Sequence, residues 1–173
     1  MGDSLVTVIV IILAAILLFV FPMMTLADRT DDISQITVQS ATVSFVDDVR
    51  ETGKLTQDKY ADYVQKIEST GNKFQVEMEL QRIDENPAKK TANEQSTIIG
   101  ESTYYSLYTS QIEKELDTNG TIYLKQGDIF STSSVNESPT FAASMKNFFY
   151  KVTGNSLYTI SGEHAGIVLT DGQ

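Results

Sequence analysis

The sequence predicts an α+β fold, an N-terminal transmembrane helix continuing into an amphipathic helix packed on a mostly antiparallel sheet. Three observations carry that prediction. Leu5 to Ala27 reads LVTVIVIILAAILLFVFPMMTLA, with no charged residue. Beyond it Val38, Ala41, Phe45, Val46 and Val49 recur at helical spacing with polar residues between them. From Phe74 the period falls to two, as Phe74, Val76, Met78 and Leu80 alternate with Gln75, Glu77, Glu79 and Gln81.

The apolar run is long enough to cross a bilayer. At about 1.5 Å per residue it spans roughly 34 Å as a helix, against a hydrocarbon core of about 30 Å. Fifteen of its residues are Leu, Ile, Val or Phe. They contribute roughly −5 to −9 kcal/mol to insertion before Pro22 and the threonines subtract. Thr25-Leu26-Ala27 has the small-residue look of a signal cleavage site, but the run exceeds a usual signal core and no Lys or Arg precedes it. An anchor is the expectation. The division that follows is a transmembrane anchor over residues 1–27 and an acidic extracytoplasmic α+β domain over residues 28–173.

Asp28-Arg29-Thr30-Asp31-Asp32 marks the membrane boundary, and a helix from about Asp31 to Thr52 follows, with Gly53 at its stop. It can run on directly from the membrane helix as one rod. Thr56 can cap a second helix whose apolar face is Tyr60, Tyr63, Val64 and Ile67, ending at Gly71. The alternating strand comes next, then a polar loop from Asp84 to Gly100 containing Pro87. Tyr104, Tyr108, Ile112 and Leu116 stand four apart, which predicts a third helix ending at Asn119-Gly120. A hairpin is expected from Thr121–Leu124, a turn at Lys125–Asp128 and Ile129–Val135. Ser138-Pro139 should start a fourth helix with the stripe Phe141, Met145, Phe148, Phe149 and Val152, closed by Gly154. Leu157 to Ser161 and Ala165 to Leu169 complete the chain as two short strands.

Composition excludes several functions. The net charge is −10, and every charged residue except Asp3 lies after the apolar run. So acidic a domain repels nucleic acid and anionic headgroups. With no cysteine there is no disulfide, thiolate chemistry or cysteine-based metal site. Arg29, the one basic residue near the span, points the domain inward if counted literally. The abundance of Ser, Thr, Asn and Tyr and the scarcity of basic residues point outward, and outward is the expectation adopted.

A catalytic centre is not expected. His164, the single histidine, lies between Gly162 and Gly166 in what reads as a surface turn. No serine sits in a G-x-S-x-G turn, and Ser161-Gly162-Glu163 lacks the phosphate-loop lysine. Asp28, Asp31 and Asp32 lack calcium-loop spacing and suit the first turn of a helix better. Glu77 and Glu79 read as the solvated face of their strand. Asn119-Gly120-Thr121 and Asn136-Glu137-Ser138 match the glycosylation pattern, though Asn-Gly also makes a good turn. Tyr104, Tyr105, Tyr108, Tyr123, Tyr150 and Tyr158 crowd the second half. Exposed, they would suit a protein or carbohydrate contact; the helical spacing assigns Tyr104 and Tyr108 to the core. No catalytic, cofactor-binding or metal-binding residue is assigned, and no cofactor is expected.

The span Leu5 to Ala27 with Pro22 inside it, and the amphipathic helix through Val38, Phe45 and Val49, resemble type IV pilins and pseudopilins. Among these the chain looks like the small TadE-like proteins of tight-adherence secretion systems. Gly53-Lys54-Leu55-Thr56 through Tyr60 to Gly71 is similar to uncharacterised single-span proteins of Firmicutes. Pilins also carry a basic leader and a glutamate in the apolar run; here Met1-Gly2 is not basic and the run has no glutamate. The resemblance implies a pilin-like structural component of a bacterial surface or secretion apparatus. Its expected partners are the lipid bilayer and other protein subunits, with no nucleic acid. The alternative is a singly anchored extracytoplasmic module that binds a ligand or partner.

Overall fold

A computed structural model describes residues 2–84, 104–144 and 159–172. The first helix, α1, runs without interruption over Gly2–Thr52 and keeps Pro22 inside it. The apolar run and the amphipathic segment are therefore one rod, about 77 Å long at 1.5 Å per residue. It ends where Gly53 turns left-handed, φ 62, and donates its N–H to the Val49 carbonyl at 2.8 Å. A Cβ there would also lie 2.2 Å from the Thr170 carbonyl oxygen.

A short strand, β1 (Lys54–Thr56), leads into α2 (Gln57–Glu68). Thr56 caps α2 by accepting from the Lys59 N–H at 3.2 Å, and Tyr63 and Ile67 form its buried face. The long strand β2 (Phe74–Ile83) buries Phe74, Met78 and Leu80, as the alternation requires. Then come β3 (Tyr104–Tyr108), α3 (Thr109–Asn119), β4 (Thr121–Tyr123), β5 (Ile129–Asn136) and β6 (Ser161–Ile167). Four strands form one sheet in the order β3-β2-β5-β6, while β1 and β4 form a small second sheet. Among the described residues every pairing is antiparallel.

The docked half of α1 lies across β5 and β6, with α2 packed on its flank. Phe45 is central to the core. It stacks on Tyr63 at 4.5 Å between ring centroids and meets Phe130 edge-on at 5.7 Å. Phe130 has no exposed surface, and burying such a ring is worth roughly 2–3 kcal/mol. On the far side of the core, α3 contributes Ile112 and Leu116.

Several sequence expectations need correction. Tyr104 and Tyr108 lie on strand β3, not on a third helix, and both are exposed. Only Ile112 and Leu116 belong to the helix that the four-residue spacing suggested. The hairpin is absent, although its turn is present: Asp128 donates to the Lys125 carbonyl at 3.0 Å. The strands on either side part company, β4 joining β1 and β5 joining β2 and β6. Leu55 and Ile122, opposite each other and buried, hold β4 to its distant partner. Among the described residues the end of the chain carries one strand, β6, because Gly162 and Gly166 stand inside it rather than in a turn, and Thr159 and Ile160 lie outside it. Residues 141–144 form a helical turn after Pro139, but Phe141 is exposed while Ala142 and Ala143 are buried. Met145, Phe148, Phe149, Val152, Gly154 and Leu157 lie outside the described residues, as does the loop beyond Asp84.

Candidate functional site: the long helix where it leaves the domain

The helix changes surroundings at Ala27. Between Leu5 and Leu26 the large apolar side chains are 42–71% exposed, save the half-buried Val20 and Met24. Among the described residues none covers the most apolar stretch of this surface. From Ala27 the residues facing the domain follow a regular stripe: Ala27, Asp31, Ser34, Val38, Thr42, Phe45 and Val49. Steps of three and four keep them on one side of the helix. Among the described residues, α1 alone is long and apolar enough to cross a membrane.

Two hydroxyls inside the apolar run are satisfied within the helix. Thr7 donates to the Asp3 carbonyl at 2.7 Å and Thr25 to the Phe21 carbonyl at 3.1 Å. An unsatisfied polar group in hydrocarbon costs several kcal/mol, so this back-bonding removes the main objection to threonine there.

The docked half is held by polar as well as apolar contacts. The buried carboxylate of Asp31 accepts from the Thr140 hydroxyl at 2.5 Å. The same hydroxyl oxygen accepts from the Ala143 N–H at 3.1 Å, capping the turn over 141–144. Gln35 pairs with Ser161 as a strand would, donating to its carbonyl at 2.6 Å and accepting from its N–H at 3.0 Å. Gln39 donates to the Glu163 carbonyl at 3.2 Å, and Arg50 Nε donates to that of Ile167 at 2.9 Å. Side chains of α1 thereby occupy backbone groups along the outer edge of β6. An open edge invites another strand, and this one is blunted.

The face of β6 turned to α1 carries Gly162, His164 and Gly166. A Cβ on Gly162 would lie 2.6 Å from Thr42 Oγ1, and one on Gly166 would lie 2.3 Å from Arg50 Nε. His164 sits between them, opposite Thr132 and half-buried, with Nε2 3.3 Å from Asp47 Oδ1. That same oxygen accepts from an Arg50 guanidinium nitrogen at 2.7 Å. His164 is therefore a mid-strand contact to the helix and not a surface-turn residue. The period-two pattern Gly162, His164, Gly166 was the available signal for it.

Below this contact lies a buried polar cluster. The Thr42 hydroxyl donates to the Val38 carbonyl at 2.8 Å and lies 3.0 Å from the Tyr63 hydroxyl. Burial pushes the Tyr63 hydroxyl upward from the usual phenol range, and its bonds to Ser134 and Thr42 offset part of that. Tyr60 donates to Glu113 at 3.0 Å. Its hydroxyl is also driven up, first by burial and then by that carboxylate.

Comparison with protein-family models, curated proteins and solved structures found no match to this chain.

The remaining sequence candidates are dispersed. Asp31 is buried on Thr140, Asp28 is half-buried and Asp32 is exposed, so the structure does not gather the three. Among the described residues no three His, Asp or Glu side chains are grouped to hold a metal. Gly120 is left-handed at the end of α3, so Asn119-Gly120 does serve a turn. The Asn136 side chain bonds the Ser138 carbonyl and the Ile160 N–H. Tyr104, Tyr105, Tyr108 and Tyr123 are all exposed, which removes Tyr104 and Tyr108 from the core that the helical spacing assigned to them. Tyr150 and Tyr158 lie outside the described residues. The buried Asp31, Thr42, Ser134 and Thr140 had no sequence signal, because each depends on a partner far along the chain.

Proposed function

We propose that the protein is a membrane-anchored, pilin-like structural component of a bacterial surface or secretion apparatus, with residues 28–173 outside the cytoplasm. The observation that supports this reading is the change at Ala27 within one unbroken helix. An apolar, uncovered half passes into a docked half with no linker between them. Such a helix fixes the domain relative to its anchor, which a subunit with a defined place among neighbours requires. Apolar helices associate in lipid by close packing, and Ala14 and Ala15 supply a small-residue contact in the span. The acidic, cysteine-free domain with few basic residues favours the outward orientation.

The absence of native cysteine makes the test direct. Single cysteines at Leu13, Ala14 and Ala15 are oxidised in membranes, and a position-dependent ladder of dimers and larger species is expected. A cysteine at Glu68 should react with a membrane-impermeant maleimide in intact cells. Monomer alone at every span position overturns the structural role and leaves the singly anchored binding module. Labelling of Glu68→Cys only after lysis overturns the orientation.

A further inference from the structure

The base of the domain carries a large apolar side chain that the fold turns outward. The helical turn over residues 141–144 buries Ala142 and Ala143 and leaves Phe141 62% exposed. An amphipathic turn ordinarily does the reverse and gives its largest apolar residue to the core. The segment that carries Phe141 is tied down at several points. Thr140 is held by the buried Asp31 carboxylate and caps the turn through the Ala143 N–H. Ahead of it, the Asn136 side chain donates to the Ser138 carbonyl at 2.7 Å and accepts from the Ile160 N–H at 3.0 Å. The Glu137 N–H donates to the Lys73 carbonyl at 2.9 Å, just before β2 begins. The outward placement of Phe141 is set by this framework.

The rod sets the height of the ring. Asp31 stands four residues past Ala27, about 6 Å along the helix axis. Thr140 meets Asp31 directly, so Phe141, the next residue, lies near the same level. A headgroup layer adds roughly 5–8 Å on each side of the hydrocarbon core. On α1 itself, Leu26 and Ile33 bracket that level, and both are exposed on the side of the helix turned from the domain.

We infer that the base of the domain is a second membrane contact, with the Phe141 ring seated in the interfacial layer of the bilayer that α1 crosses. Aromatic and large apolar side chains settle at that boundary. The lipid surface is the occupant because the rod itself delivers it: a chain with its apolar run inserted holds Phe141 at headgroup level. The span and the ring are two footholds, and interfacial anchors of this kind set the tilt that span length alone leaves open. The inference rests on the apolar run crossing the bilayer, as proposed above. It is indifferent to the side on which the domain lies and to whether copies assemble.

The chain contains no tryptophan, so single substitutions give single fluorophores. The full chain carrying Phe141→Trp, Ile16→Trp or Tyr123→Trp is reconstituted in phosphatidylcholine vesicles. These hold nitroxide-labelled lipid, with the label either on the headgroup or deep in the acyl chains. Phe141→Trp should lose most of its emission to the headgroup label and much less to the deep one. Ile16→Trp, in mid-span, should show the opposite order. Tyr123 pairs with Lys54, about 38 Å or more along the rod from Ala27, and Tyr123→Trp should respond to neither label. Thermal unfolding of each variant shows whether the fold is kept. If Phe141→Trp does not fold, Phe141→Cys carrying a bimane label reads the same depth, as there is no native cysteine. Deep quenching at Ile16→Trp with none at Phe141→Trp overturns the inference and leaves the anchor standing. Phe141→Trp emission that is blue-shifted yet unquenched also overturns it, since a protein surface would then cover the ring. Absence of quenching at Ile16→Trp as well removes the span and the inference together.

Discussion

Thr42 Oγ1 stands where a Cβ on Gly162 would come within 2.6 Å of it, and Val38 crowds the same point at 3.1 Å. The helix therefore approaches β6 as closely as a strand without a side chain allows. A threonine side chain has little freedom to move aside, and the Val38 contact includes a backbone oxygen. Gly162→Ala should destabilise the domain by about 2 kcal/mol through overpacking. Gly166→Ala meets a longer arginine side chain and should cost less. Denaturant midpoints of the two variants, with unchanged slopes, check the order.

Gln35 replaces a neighbouring strand at Ser161. Gln35→Ala removes two hydrogen bonds and should cost about 1–2 kcal/mol. Its local signature is faster hydrogen exchange at the Ser161 amide, with the amides of α3 little changed. Uniform acceleration across the domain would show that the contact is not local.

Thr140 satisfies a buried carboxylate and caps a helical turn with one hydroxyl. Thr140→Val keeps the shape and removes both functions, so a loss of about 2–3 kcal/mol is expected. Thr140→Ser keeps the hydroxyl and should lie within about 1 kcal/mol of the parent. Thermal unfolding of the three proteins separates the cases.

Tyr60 and Tyr63 make the domain sensitive to alkali. Both hydroxyls retain their protons in the fold beyond the ordinary phenol value of about 10, because burial disfavours the phenolate. The unfolded chain loses these protons above about pH 10 while the native state keeps them. Their contribution is thus fully present below pH 10 and is lost as pH rises through the higher native values. Stability measured from pH 8 to 11.5 should fall steeply at the upper end. The Tyr60→Phe, Tyr63→Phe double variant should show a shallower fall.

Ile16 lies at the middle of the apolar run with half its surface exposed. Ile16→Lys puts a charge at the centre of a span, at about 2.5–3.5 kcal/mol on the insertion scale. The membrane-bound fraction should drop sharply, whereas the unfolding midpoint of the domain should not move. A fall in that midpoint would mean that the apolar half packs on the domain.

Local chemistry was legible where local signals act alone. The uncharged run, the Thr56 cap and the alternation from Phe74 each found their place in the structure. The failure at Tyr104 and Tyr108 has a geometrical cause. Four residues apart is an even step, so the pair shares one side of a strand as well as one side of a helix, and β3 passes into α3 without Gly or Pro between them. The turn at Lys125–Asp128 was real, but a turn does not name its strands' partners. Leu55 and Ile122 pair across 67 residues, which no window of sequence reveals. The long-range contacts of Asp31, Gln35 and His164 escaped for the same reason.

The unbroken passage of α1 through Ala27 makes the helix a drive shaft. Each residue inserted into its exposed half would raise the domain by about 1.5 Å and turn it by about 100° relative to everything before the insertion. One added residue would swing the domain to another compass bearing, and a set of seven would nearly restore it. Heading is thus written in the residue count of a single helix. Whatever grips the apolar half grips the domain's azimuth with it.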